Sequence, residues 1–196
     1  MFICHKNIWE DSVPFTHRVI RSIDYINEYL GRITAWLVLG CVVTCFLVAF
    51  LRYVFSIGYV WMQELYVWQH ALVFMLGAGY TLLHDGHVRV DVFYSKLSPK
   101  GQALVQIIGT CFFLWPWLFV VSFYGWSFIK SSWQILEESP QTDGLPGYFL
   151  LKSVIYVFCF VIFLQSFAHI LRSLVLIFRG YEVPRFVASE IIGQGK

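Results

Sequence analysis

Charge is scarce in this chain. Asp, Glu, Lys and Arg make up 13% of its 196 residues, about half the share of a soluble domain. The formal net charge is only +2, with none of the concentrated basic surface that nucleic-acid binding uses. Cysteine supplies no disulfide framework. Of the five cysteines, Cys41, Cys45, Cys111 and Cys159 fall inside apolar stretches and Cys4 in the N-terminal arm, so they read as small apolar residues. There is no nucleophile–base arrangement, phosphate loop or hydrolase motif, and no enzyme is expected. Gly77-Ala78-Gly79-Tyr80 lies inside an apolar run without a βαβ context, which excludes a nucleotide fingerprint. Residues 1–31 are mostly polar and the first apolar run is too long for an h-region, so no cleavable signal peptide is expected.

Apolar length is what the chain has in abundance: 58% of residues are hydrophobic. Four stretches, near 33–56, 65–83, 103–129 and 150–177, approach or exceed the roughly 20 residues that a membrane-crossing helix needs. Aromatics reach 19%, with eight Trp, and many sit near the ends of these stretches, as interfacial belts require. The expected fold is an all-α integral membrane protein with four transmembrane helices. Eleven of the 14 Lys and Arg fall in the N-terminal arm, the second connection and the C-terminal end. Arg52, Lys130 and Lys152 are the other three. The positive-inside rule then places both termini in the cytoplasm.

The expected organisation is a cytoplasmic arm over 1–32, a four-helix domain over 33–179 and a short cytoplasmic tail over 180–196. In the arm, Phe15, Val19, Ile23, Ile26 and Leu30 recur at helical spacing, while Arg18, Arg21, Asp24 and Glu28 fall largely elsewhere on the wheel. This pattern predicts an N-terminal amphipathic helix lying on the membrane surface, as an anchor or as a docking helix for a partner. A tight hairpin is expected around 56–59. Gly77 and Thr81 form a small-xxx-small pair that allows close helix packing, with Gly79 beside it. Pro116 removes one backbone hydrogen bond and should kink the third span. Ser139-Pro140 and Gly144-Leu145-Pro146-Gly147 are turn chemistry.

Few polar groups remain to carry function. Arg52 near the end of the first span and Glu64 at the start of the second lie at similar depth. They either snorkel to the interface or form a pair that pins the hairpin or joins another subunit. His84, Asp85, His87 and Asp91 carry metal-ligand residue types, but the same segment reads as a helix C-terminus, with Gly86 ending the helix and His and Arg at the negative end of its dipole. Haem between two histidines is a further possibility. His70 and His169 differ in depth by roughly 18 Å at 1.5 Å per residue, too far for one iron, whereas His84 and His169 are more nearly level. No pair of short, interrupted hydrophobic segments marks a transport site at the midplane. The chain reads as a scaffold more than as a complete carrier.

Leu51-Arg52-Tyr53-Val54-Phe55, Trp61-Met62-Gln63-Glu64-Leu65, Gly77-Ala78-Gly79-Tyr80 and Asp85-Gly86-His87-Val88-Arg89-Val90-Asp91 follow one another along the chain. Together with Glu138-Ser139 and Gly144-Leu145-Pro146, their order and spacing resemble the small permease subunit of TRAP transporters, the DctQ-like family, over about residues 20–180. The resemblance implies a multi-pass protein of the bacterial inner membrane, with no cofactor and no catalysis. It implies two protein partners, a large permease subunit and a periplasmic solute-binding protein. It implies secondary, ion-coupled uptake of organic acids, with sodium the usual ion. The small subunit would brace the fixed scaffold while a transport domain of the large subunit moves as an elevator. By position, Arg52, Glu64, His87, Arg89 and Asp91 match recurrent polar residues of the family, expected at helix ends and the subunit interface. Gly77, Gly79, Pro116, Glu138, Gly144 and Pro146 are expected there too. The alternatives are a b-type haem anchor of a redox complex and a small self-contained carrier.

Overall fold

The computed structural model describes residues 14–88 and 94–185, and the ordered elements among them are all helical. Helix α1 runs Pro14–Phe55 and α2 runs Val60–Leu83. Helix α3 (Pro99–Gly109) passes through a π-helical turn, Thr110–Leu114, into α4 (Trp115–Gln134). Helix α5 runs Tyr148–Arg179. Three segments are long and apolar enough to cross a membrane: Phe15–Phe55, Pro99–Gln134 and Tyr148–Arg179. The second, α2, is not among them. Its 24 residues include Gln63, Glu64, Gln69 and His70, and it is packed between α1 and α5.

Hydrophobicity is distributed inside out. Phe46, Tyr53, Phe112, Phe119, Phe123 and Trp126 point outward, while Asp24, Asn27, Gln165 and Ser166 are buried. In water such an apolar exterior would drive aggregation; in lipid it is the solvent-matched face.

The expected surface helix needs correction. Residues 15–31 are not a separate helix but the first part of α1, which continues without a break for 42 residues. At about 1.5 Å per residue that is about 63 Å, twice a hydrocarbon core. Ile20, Ile23, Asp24, Asn27 and Glu28 are all buried. The face they share packs on the rest of the protein. The tail also belongs to the fold in part. After Gly180 closes α5 in a left-handed conformation (φ 74°), residues 181–185 turn back to α1. Val183 packs with Ile20 and Val175, and His17 Nε2 lies 3.2 Å from the Tyr181 hydroxyl.

The hairpin over 56–59 forms as expected, with Ser56 in the left-handed region (φ 57°) and the Ile57 N–H donating to the Leu51 carbonyl at 3.1 Å. At the other end of α2, Asp85 and not Gly86 takes the left-handed position (φ 53°). The Asp85 N–H donates to the Leu82 carbonyl and the Gly86 N–H to the Thr81 carbonyl, the double bond of a Schellman cap. Around Pro116 the chain answers by widening. The proline ring would crowd the carbonyl four residues back, at Phe112, and that residue sits inside the π turn, where the Trp115 N–H reaches back to Thr110.

Candidate functional site

Three polar residues of α1, with Gly31 after them, and three polar residues of α5 lie on facing sides of those helices. On α1, Asp24, Asn27, Glu28 and Gly31 continue the three- and four-residue spacing of Ile20 and Ile23, so they share the buried face. On α5, Gln165, His169 and Arg172 follow at steps of four and three. The two rows meet.

Asp24 forms a buried ion pair with Arg172, made by Oδ2 and Nη2. The other Asp24 oxygen accepts from Gln165 Nε2 at 3.3 Å. Gln165 Oε1 in turn accepts from Asn27 Nδ2 at 2.8 Å. Asn27 and Gln165 are completely buried, where an unpaired amide would cost several kcal/mol in hydrocarbon, on the order of 4–8. Asn27 Oδ1 has no conventional donor among the described residues. A Cβ built on Gly79 would overlap that oxygen and Val161 Cγ1, so only a glycine hydrogen fits against it there. Gly79 is therefore required by contact, not by backbone conformation.

The network extends to α2 and α3. Glu28 accepts from His84 Nε2 at 2.9 Å and faces Arg32 Nε at 3.9 Å. His169 is held on both sides. Its Nε2 donates to the Leu82 carbonyl at 3.1 Å, and its Nδ1 accepts from Gln106 Nε2 at 3.1 Å. A neutral imidazole with both nitrogens engaged leaves no lone pair for iron. The His84–His169 arrangement thus does not fit a bis-histidine haem. Trp115, delivered by the π turn, donates its indole N–H to Ser166 at 3.0 Å. Asp85 pairs with Arg185 of the returning tail.

A second polar cluster sits at the hairpin end. Glu64 accepts from the Ser139 hydroxyl and from the Leu145 N–H, the latter at 2.6 Å. Gly144 lies against the same carboxylate, since a Cβ there would meet Ser139 and stand 2.7 Å from Glu64 Oε2. Glu64 therefore fastens the 135–147 loop to α2; the expected alternative of a pair with Arg52 is not formed, and Arg52 is exposed at the end of α1. Beside it, Lys152 Nζ bonds Glu137 at 2.5 Å and lies 4.2 Å over the Phe128 ring. The hydrogen bond from Lys152 holds the Glu137 carboxyl below its ordinary value of 4.5.

The residues singled out from sequence divide as follows. Gly79, Glu64 and Gly144 make the contacts above. Gly77 faces Thr34, whose Oγ1 a Cβ would meet at 3.9 Å. Pro116 follows the π turn. His87, Glu138 and Pro146 are exposed, and Arg89 and Asp91 lie outside the described residues. Sequence reading missed Asn27, Gln165, Trp115 and the roles of Asp24 and Arg172. The usable signal was the run of polar residues at helical spacing inside an apolar span, since such residues face the bundle interior.

The family model for the DctQ component of tripartite ATP-independent periplasmic transporters matches residues 28–176. The chain belongs to the DctQ family. As a DctQ component it is part of a membrane transporter, not of an enzyme family. The match begins at Glu28 and takes in Gln165, His169 and Arg172, but Asp24 lies just before it. No match was found among curated proteins or among solved structures.

Proposed function

We propose that this chain is the small membrane subunit of an ion-coupled secondary transporter that takes up organic acids, and that it braces the large permease subunit without carrying solute. The observation that carries this reading is the inward consumption of the polar groups. Asp24, Asn27, Gln165, Arg172, Glu28 and His84 bond mainly one another. Their chemistry ties α1, α2 and α5 into one body, as a stationary brace requires. A transport site would instead present such groups to a cavity that solute can enter.

In this reading α2 is the fourth span, covered by its neighbours, and both termini are cytoplasmic in a bacterial inner membrane. The network then lies at the cytoplasmic end and the Glu64-fastened loop faces the periplasm. Partners are the large permease and a periplasmic solute-binding protein; sodium is the expected coupling ion. The experiment is reconstitution of the large subunit in liposomes with and without this chain, with a radiolabelled carboxylate and its binding protein outside. Uptake should need both membrane subunits, and this chain alone should move nothing. Uptake by the large subunit alone at the full rate, or by this chain alone, would defeat the reading.

A further inference from the structure

Between α1 and the π turn with the start of α4 runs an open groove of about 770 Å³, floored by α2 and α5. Its lining is apolar almost throughout. It stretches from Gly31 to Val38 on α1 and from Val73 to Leu82 on α2, about 10 to 14 Å along the helix axes at 1.5 Å per residue. That is the depth of one leaflet of hydrocarbon, about 15 Å, and half of what a spanning helix would need. A transmembrane helix laid here would leave the groove at the level of Val38 and Phe74.

The two ends differ in polarity. The midplane end is lined by apolar side chains such as Val38, Phe74 and Trp117. The other end opens beside Tyr80, Thr81 and His87. The Tyr80 and His84 rings lie against each other, tilted by 48° with centroids 4.3 Å apart, and His84 and Arg32 share Glu28. Arg32, next to Gly31 on the rim, keeps 53% of its side chain exposed. An apolar trough one leaflet deep with a polar, hydrogen-bonding mouth, and the half-exposed Arg32 side chain following Gly31, has the polarity of a phospholipid.

We propose that this groove seats the acyl chains of one phospholipid from the leaflet at the chain-terminus end, with its phosphate held at Arg32 and His87. The inference rests on membrane insertion and not on the transport role, so either can fail without the other.

Gly77 offers a clean probe, because its nearest neighbour leaves room for a Cβ and a longer side chain would project into the trough. The full chain, in whatever complex it purifies with, is extracted in mild detergent. It is then offered equal phosphatidylglycerol and phosphatidylcholine, and bound lipid is read by native mass spectrometry. One phospholipid per chain is expected. Gly77→Leu should lower its occupancy about tenfold, with elution profile and helicity unchanged. A lipid carrying a diazirine on its acyl chain should label the Val38–Phe74 end. Arg32→Gln with His87→Ala should abolish any preference for phosphatidylglycerol while the lipid stays bound. Equal retention by the parent chain and Gly77→Leu would overturn the proposal. So would an Ala35→Cys crosslink to a protein partner or to a second copy, which would mean that protein covers the trough. An unchanged headgroup preference in the double variant would overturn the placing of the phosphate.

Discussion

Asp24 and Arg172, 148 positions apart in the chain, meet as a buried ion pair that joins the first part of α1 to the last turns of α5. Each is supported differently. Asp24 has Gln165 on its second oxygen, whereas Arg172 Nε and Nη1 have no hydrogen-bond partner among the described residues. The aspartate is thus the better satisfied member.

Removing one partner should cost more than removing both. Asp24→Ala leaves a buried guanidinium without its counter-charge, and about 3–5 kcal/mol of stability should go with it. Asp24→Leu combined with Arg172→Met should recover most of that. A double-mutant cycle of unfolding in detergent micelles checks the pair, and additive losses would show that the two residues act independently.

Gly79 and Gly125 should respond oppositely to alanine. At Gly79 the new methyl would meet Asn27 and Val161, and forced repacking costs about 1–3 kcal/mol. At Gly125 a Cβ would meet no other described group within 4 Å outside its own turn of helix, so Gly125→Ala should stabilise α4 by up to about 1 kcal/mol, the helix-propensity difference. Thermal unfolding of the two variants side by side tests this.

Glu64→Ala should release the loop over 135–147. Each hydrogen bond to a charged group contributes about 1.5–3 kcal/mol, and Glu64 makes two to this segment. Amide exchange at Leu145 should accelerate by at least about tenfold, while exchange within α5 stays as it was. Arg52→Ala should leave the loop unaffected.

The Glu137–Lys152 contact should weaken in acid. The carboxyl is held below its ordinary value by the Lys152 hydrogen bond. Its contribution is therefore complete above the unfolded value and disappears as pH falls through the lower folded value. A carboxyl-carbon NMR titration of Glu137 should show a midpoint under 4.5, moving up in Lys152→Met.

The helices, three of them long and apolar enough to span a membrane, and the 56–59 hairpin were legible because apolar length and turn residues are local signals. Gly79 was legible as a packing residue, though its contact with Asn27 was not. The first part of α1 was misread for a physical reason. Asp24 and Glu28 look like solvent-facing residues on a wheel that scores only polarity, yet they occupy the same face as Ile20 and Ile23. Only the matching row of Gln165, His169 and Arg172 on α5 reveals that a polar face has a polar partner. That pairing is non-local, so periodicity in one helix cannot disclose it. The Glu64 carboxylate was placed correctly at an end of α2, but its partners come from a loop 75 to 81 residues on. Trp115 was not singled out; its bond to Ser166 follows from the widened turn, which residue propensities do not announce.

The unbroken length of α1 has a consequence for biogenesis. Its charged face is synthesised well before its counterpart on α5, which follows 138 to 148 positions later. Until then Asp24, Asn27 and Glu28 must stay wet, held outside the lipid by their own hydration. Closure of the protein is therefore a late event in which α5 captures α1. A nascent chain stopped before Tyr148 should expose that acidic stripe to membrane proteases, and arrival of α5 should be the moment at which it becomes resistant.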